Sequence, residues 1–594
     1  MVTRATRSPR RRTVVALAVV LAVLAGFIVR LVDIQVVNAD EHIAESLEHA
    51  LGGSQTLYGT RGSIVDQTGQ TLAGSVLEYD CQLDPLLITQ IDQDILAETS
   101  TAKPWSVVSV AIAELTGQKV KKVQKIVADA LAEDAGSRYA MLARGLSTQV
   151  YRGLADLGVP YLACLQHPAR TYPDGAVAGN LVGFMGTDGE ALEGLEMTED
   201  SCLAATNGTL AFARGKDGVI IPGTQRTQPA VNGGTLQLTI NRDLQWYLQQ
   251  LIGEQAQDMG AKSGGIMVVE TATGKIRAAA EWPSVDPNDV TASKPANRGS
   301  RIFRASFEPG STFKALTAST VIDAGGQSPT STVVAASTEI FPNGARVQDS
   351  FSHGPYTYTL AGVLIDSSNA GISKFSERVS PETRYDYFKK FGIGDGSAVG
   401  FNGEQSGLIW PVDQWDNQTI YNTAYGQGLT TTMPELAGAY DAIANDGVRM
   451  PLSLVESCTT ADGQVVEPTL PDPVRVIKKS TAAQMREILE NVGLQALYAD
   501  AIKIPGYRIG VKTGTGEKSN GSGGYKAGAY YTTMIGMAPA EEPEYIVIVT
   551  LDEPTKVKSS AANATAFQKA MTQVLKTYRV MPSTTAPELL PKFG

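Results

Sequence analysis

One run of residues fixes the layout of the whole chain. From Thr13 to Val29 no residue is charged and most are apolar; Arg30 closes the run, and Leu31 and Val32 extend it. Five arginines, Arg4, Arg7, Arg10, Arg11 and Arg12, precede it. Such a stretch reads as a transmembrane helix at the short end of the range, with Arg30 placed to snorkel. Arginines ahead of a span hold the N-terminus inside, so everything after it is expected outside. The rivals are a cleaved signal peptide and a buried soluble helix. The first has small residues in Ala22, Ala25 and Gly26 but only a weak A-x-A ending, and the second leaves the arginines unexplained.

The remainder is too long for one core. A chain of 594 residues suggests about two to four domains. A net charge of −11 provides no broad basic face, which argues against nucleic-acid binding. Four histidines (His42, His49, His167, His353) and four cysteines (Cys81, Cys164, Cys202, Cys458) form no metal-ligand spacing, so neither a metal nor a cofactor is expected. An exported location permits disulfides without requiring them.

The pattern along the chain suggests five regions: a basic tail over 1–12, the anchor over 13–32, an α+β region over 40–225, a second α+β domain over 235–580, and a Pro/Thr-rich flexible tail over 581–594. Asp40 to Leu57 reads as a short helix or stalk. Ile64-Val65 and Leu72 flank a glycine-bearing turn like hairpin strands. Lys103 to Leu146 carries apolar residues at helical spacing and reads as a helical insertion. A Pro/Gly/Asn-bearing stretch from Ile221 to Gly234 marks a boundary. Beyond it, Thr235 to Ile240, Ser263 to Glu270, Gly274 to Ala280, Ile509 to Thr513, Tyr531 to Met537 and Tyr545 to Leu551 read as strands. Helices are expected from Asp243, and over Phe313–Asp323, Leu364–Phe375, Pro381–Phe391, Met433–Asn445 and Ala561–Tyr578. Strands from both ends of the domain, with helices between, suggest a five-stranded antiparallel sheet flanked by helices. Gly514 to Gly528 reads as a mobile hairpin loop at the mouth of a site.

Three short motifs carry the chemistry. Ser311 and Lys314 in Glu308-Pro309-Gly310-Ser311-Thr312-Phe313-Lys314 share a helix face. A serine hydroxyl needs a neighbour to take its proton. Lys314 becomes that base if burial, or a second cation such as Lys512, lowers its pKa. Ser367-Ser368-Asn369 adds a hydroxyl that can relay a proton and an amide that can hold Lys314 and a substrate amide. Lys512-Thr513-Gly514-Thr515 ends a strand. Thr513 and Thr515 offer hydroxyls to a carboxylate, Lys512 supplies positive potential, and Gly514 leaves room for a substrate backbone. The backbone N–H groups of Ser311 and Thr515 are the candidate oxyanion hole. Each motif alone has a bland explanation: chance for S-x-x-K, a cap or turn for Ser-Ser-Asn, a strand end for Lys-Thr-Gly-Thr. The ordered trio does not, because S-x-x-K pairs with K-T-G in penicillin-recognising enzymes.

The chain resembles class B penicillin-binding proteins, the membrane-anchored peptidoglycan D,D-transpeptidases. The resemblance starts at Arg30-Leu31-Val32-Asp33-Ile34-Gln35-Val36. It continues through Arg61-Gly62-Ser63-Ile64-Val65-Asp66 and Gly194-Leu195-Glu196, marks of a non-catalytic pedestal (dimerisation-like) domain. Thr273-Gly274-Lys275-Ile276, Asp286-Pro287-Asn288, Asn297-Arg298, Tyr425-Gly426-Gln427-Gly428 and Asn445-Asp446-Gly447 extend it through the second domain. The resemblance implies Ser311 as acylated nucleophile and Lys314 as base, with Ser367, Asn369 and Lys512 in support. Thr513, Gly514 and Thr515 would bind donor peptide or antibiotic. D-alanine would leave a stem peptide, and an amine on a second stem peptide would take the acyl group. β-Lactams would acylate Ser311 and hydrolyse slowly. With no glycosyltransferase domain ahead of the second domain, a polytopic membrane glycosyltransferase and division proteins are the implied partners in a bacterial cell membrane.

The layout is most similar to the division-specific (septal) member, with an elongation-specific transpeptidase as alternative. Asp66-Gln67-Thr68-Gly69 departs from the more usual Asp-Arg-Asn-Gly, and the insertion near 103–146 matches no family mark. A β-lactamase or β-lactam sensor, a D,D-carboxypeptidase and a non-enzymatic scaffold are the remaining alternatives. No later apolar run is long enough for a sensor's further helices.

Overall fold

The computed structural model describes residues 9–33, 52–213, 224–521 and 523–594. They fall into two compact units, Met1–Thr60 with Ala205–Asn232, and Arg61–Ala204 with Gly233–Gly594.

The first unit contains helix α1, Pro9–Val32. Within it Val14–Val32, 19 residues with none buried, is long and apolar enough to cross a membrane. The unit also holds an antiparallel three-stranded sheet of Gly52–Leu57, Gly208–Ala213 and Arg226–Gln228. The expected stalk over Asp40–Leu57 is therefore corrected at its end, where Gly52–Leu57 is a strand; its first part lies outside the described residues. The partner strand is about 150 residues away in sequence (Leu57 pairs with Gly208), so no local pattern announces it. A side chain on Gly53 would meet the Phe212 ring at 2.4 Å.

In the second unit, Ile64–Val65 and Thr71–Leu83 form the expected hairpin, with Ile64 opposite Ala73. Asp66 holds the turn by accepting from the Thr68 and Gln70 N–H groups at 2.7 and 2.9 Å. This hairpin belongs to a seven-stranded sheet. Its order is Val465–Val466, Val455–Thr459, Thr235–Leu238, Ile64–Val65, Thr71–Leu83 and Ala140–Ser147, with Leu162–Thr171 also paired to Thr71–Leu83. The expected helical insertion is two helices, Trp105–Thr116 and Val120–Glu133, followed by the strand Ala140–Ser147. Gly117, at φ +67°, ends the first helix. Val108, Ile112, Val123, Val127 and Leu142 close a separate small core around it. Two disulfides, Cys81–Cys164 and Cys202–Cys458, bridge this part of the unit.

A knot of charge locks the base of the hairpin. The fully buried Glu196 carboxylate accepts from Arg61 Nε at 2.7 Å and Arg170 Nε at 2.6 Å. Arg170 also reaches the Gly62 carbonyl at 2.6 Å. Two guanidinium groups offset the desolvation of one carboxylate, the condition under which a charge can be buried.

The catalytic layer is a five-stranded, fully antiparallel sheet. Its strands are β1 (Ser263–Glu270), β2 (Ile276–Trp282), β3 (Gly510–Ser519), β4 (Tyr525–Ala538) and β5 (Tyr545–Asp552), in the order β2-β1-β5-β4-β3. Every residue from Tyr545 to Leu551 is buried, so both faces of β5 are covered. Helices α2 (Arg242–Met259) and α7 (Ala564–Thr577) pack on the sheet and on each other. Between them in sequence come α3 (Lys314–Asp323), α4 (Leu360–Ile365), α5 (Asn369–Ser376) and α6 (Lys479–Gln495).

Three expectations change here. The helix expected over Leu364–Phe375 breaks into α4 and α5 because Ser367 takes φ +58°. The loop expected over Gly514–Gly528 is mostly strand, since Gly516 pairs with Tyr531 and Ser519 with Tyr525; ladder pairing outweighs the weak strand propensity of glycine. The tail expected to be loose is docked. Its backbone bonds to Gly506, Asn491, Gln495 and Thr359, and Leu590 is buried.

Candidate active site

Ser311 lies in the one-turn 3-10 helix Gly310–Phe313 that leads directly into α3. Glycines let three backbones converge on it. Gly310, at φ +53°, would place a Cβ 2.7 Å from the Thr515 carbonyl, and Gly426 would place one 2.2 Å from the Gly310 carbonyl. The Gly310 N–H donates to Gly426 O at 3.0 Å, which explains the Tyr425-Gly426-Gln427-Gly428 motif. Tyr440 OH fixes the next turn by donating to Thr312 O at 2.7 Å.

The side chains then join in a chain. Lys314 Nζ lies 2.8 Å from Ser311 Oγ, 2.6 Å from the Ser367 carbonyl and 3.2 Å from Ser367 Oγ. Lys512 Nζ reaches the same Ser367 Oγ at 3.0 Å. The left-handed Ser367 backbone, costly for a residue with a side chain, marks the turn whose carbonyl meets Lys314. Both lysines are fully buried. Burial pushes the Lys314 amine well below the usual lysine range, Lys512 pushes it further, and Asp349 opposes them. Burial lowers Lys512 to about 7. A neutral Lys314 beside a hydroxyl is a base poised to take its proton.

Not every candidate sits as expected. Asn369 Nδ2 donates to the Gln348 carbonyl at 2.9 Å, so the contact that holds Lys314 comes from the Ser367 carbonyl instead. Thr513 is buried and its hydroxyl donates to Tyr498 OH at 3.4 Å, whereas Thr515 Oγ1 accepts from the Ser560 N–H at 3.2 Å. Gly514 faces the nucleophile segment. A Cβ there would meet the Pro309 carbonyl at 2.4 Å, so its missing side chain accommodates the protein's own backbone. β3 is an edge strand, with one side of its backbone unpaired by the sheet.

Two residues escaped the sequence reading. Buried Asp349 accepts from Ser368 Oγ at 2.7 Å and from the Ala370 N–H at 2.9 Å, and lies 2.9 Å from His353 Nε2. Asp349 thereby grips the residue after Ser367. Neither residue lies in a recognisable motif, and only the scarcity of histidine singled His353 out. Among the described residues no cluster of side chains has the makings of a metal site.

A buried lysine, a serine and an open strand edge define a serine acyl-transfer enzyme. Residues 264–572 match the penicillin binding protein transpeptidase domain and residues 56–238 the penicillin-binding protein dimerisation domain. The chain is 34% identical over 515 residues to penicillin-binding protein PbpB of Mycobacterium tuberculosis, covering 85% of this chain and 76% of that one. It is 28% identical to peptidoglycan D,D-transpeptidase FtsI of Escherichia coli, covering 95% and 91%. The crystal structure of penicillin binding protein 3 from Mycobacterium tuberculosis, complexed with aztreonam, superposes with TM-score 0.69 at 28% identity, covering 90% of this chain and 99% of that one. The chain belongs to the penicillin-binding protein family as a class B member, a serine transpeptidase.

Proposed function

We propose that this protein is a septal peptidoglycan D,D-transpeptidase with Ser311 as nucleophile and Lys314 as base. The observation that carries the reading is the 2.8 Å contact between a buried, pKa-lowered Lys314 and Ser311 Oγ. Lys314 takes the hydroxyl proton as Ser311 Oγ attacks the carbonyl of the penultimate D-alanine. Negative charge gathers on that carbonyl oxygen, for which the N–H groups of Ser311 and Thr515 serve as the oxyanion hole in this reading. The proton passes by way of Ser367 Oγ to the departing D-alanine amine, leaving an ester on Ser311. An amine of a second stem peptide attacks the ester and its proton goes to Lys314. The Ser311–acyl bond then breaks and Ser311 recovers its proton. Lys512 holds Ser367 Oγ and contributes positive potential for the donor carboxylate, with Thr513 and Thr515 beside it. Asn369 orients the donor amide. The donor lies as an added strand along the edge of β3. A β-lactam enters the same path and stops at the ester.

The arginines ahead of the apolar run favour a cytoplasmic N-terminus and a catalytic domain outside a bacterial membrane. The two disulfides suit that oxidising side. The septal role rests on similarity to PbpB and FtsI. A membrane glycosyltransferase and division proteins are the partners it implies. Fluorescent penicillin labelling of wild type and Ser311→Ala tests the nucleophile, and label retained by the variant would refute it. Product analysis with a stem-peptide donor and an amine acceptor separates cross-linking from hydrolysis. Depletion followed by imaging separates division, which gives filaments, from elongation, which gives rounding.

A further inference from the structure

The docked segment Glu588–Gly594 ends its path against the elements that carry Ser367. The Thr359 N–H donates to the Lys592 carbonyl at 3.0 Å. Thr359 Oγ1 donates to the Pro591 carbonyl at 2.6 Å while accepting from the Gly362 N–H at 2.8 Å, so the residue that caps α4 also binds the segment. The fit over α4 is close, since a Cβ on Gly362 would lie 1.9 Å from the Lys592 carbonyl. Lys592 Nζ then pairs with Asp366 Oδ1 at 2.8 Å, and Tyr358 OH holds the other Asp366 oxygen at 3.3 Å. Asp366 is the residue immediately before Ser367. On the far side, the Phe593 ring lies 5.1 Å from Tyr356 and 5.2 Å from Tyr358. Those tyrosines flank His353, which stacks on Tyr356 at 4.8 Å and meets Tyr358 edge-on at 5.7 Å. His353 abuts Asp349, and Asp349 holds Ser368 and Ala370.

We propose that Lys592 and Phe593 are positioning residues that clamp the Ser367 turn from both sides. Lys592 acts on the residue before it, through Asp366. Phe593 acts on the residues after it, through Tyr356, His353 and Asp349, and on Asp366 as well through Tyr358. The strained Ser367 backbone gives the clamp its purpose. A left-handed serine persists where its surroundings over-determine it, and here its carbonyl is what holds Lys314 against Ser311. Releasing the segment lets the turn relax and moves Lys314 away from the nucleophile. This inference rests on the roles proposed for Ser311 and Lys314.

The test uses the full-length protein in detergent, as wild type, Lys592→Ala, Lys592→Arg, Phe593→Ala and a form ended after Leu590. Acylation by fluorescent penicillin is followed as a rate constant, separately from the fraction of active sites titrated and the melting temperature. Lys592→Ala and Phe593→Ala are expected to slow acylation roughly tenfold, within the hundredfold that a displacement of about 1 Å can cost, with full titration. Lys592→Arg is expected to retain the wild-type rate. The shortened form is expected to be at least as slow as either alanine variant. Wild-type rate constants in both alanine variants would overturn the inference, as would a loss confined to the titrated fraction. A folded wild type that takes up no penicillin would refute the proposed chemistry instead, and this inference with it.

Discussion

Replacing Lys314 with Met separates chemistry from stability. The variant keeps an unbranched side chain of similar length in a fully buried site but loses the amine that touches Ser311 Oγ, the Ser367 carbonyl and Ser367 Oγ. A positioned general base is worth about 10²–10⁴ in rate, or about 2.7–5.4 kcal/mol of barrier at about 1.36 kcal/mol per tenfold. Stability moves far less. Lost hydrogen bonds cost about 1 kcal/mol each, but burial already disfavours the charged amine, and its removal relieves that penalty. The expected result is acylation slowed by about 10³ or more with a melting temperature within a few degrees of wild type. The assay is stopped-flow or gel-based acylation by a fluorescent penicillin beside thermal unfolding of the same samples. Acylation within tenfold of wild type would show that Lys314 is not the base, whatever its distance from Ser311.

Four more tests read other parts of the structure. Gly514→Ala forces a methyl against the Pro309 carbonyl; overpacking of about 1–3 kcal/mol and slowed acylation are expected, measured by urea unfolding and penicillin labelling. Glu196→Gln removes the carboxylate shared by Arg61 and Arg170; Arg61 keeps Asp200 at 2.6 Å but Arg170 is left buried without an acidic partner, so a loss of about 3–5 kcal/mol in unfolding free energy is expected. Lys512 loses its proton near 7 when folded but near 10.4 when unfolded, so the unfolded state holds more protons between those values and stability should rise with pH there, by at most about 1.4 kcal/mol per pH unit. In Lys512→Met that rise should shrink, and parallel pH curves for the two proteins would contradict the assignment. Paired Cys202→Ser and Cys458→Ser changes remove a bridge between residues 256 apart and should cost about 2–5 kcal/mol by denaturant titration.

Much of this was legible from residue order because the informative features are local. A 3.6-residue period marks α2 and α7, a hairpin marks β1 and β2, and S-x-x-K needs only one helical turn to bring Ser311 and Lys314 together. The five-stranded sheet followed from strands at both ends of the domain. What escaped was non-local. Gly52–Leu57 becomes a strand only because Gly208–Ala213 arrives to pair with it. The segment after Met581 looked unstructured because prolines and threonines carry no periodicity, yet its carbonyls find donors on Asn491, Gln495 and Thr359. Asp349 reaches Ser368 across 19 positions, and no spacing rule predicts that contact. Gly514 in sequence suggests room for substrate because its actual neighbour, Pro309, lies some 200 residues earlier in the chain.

The strand Thr235–Leu238 sits between Ile64–Val65 and Val455–Thr459. Severing the polypeptide just ahead of Thr235 would strip one flank of that ribbon of its natural neighbour. The orphaned rim would then be open to any extended peptide, including its twin in another molecule. The enzyme half is thus no detachable cartridge, and a preparation cut at that point would inherit a sticky seam that the intact polypeptide keeps sewn shut.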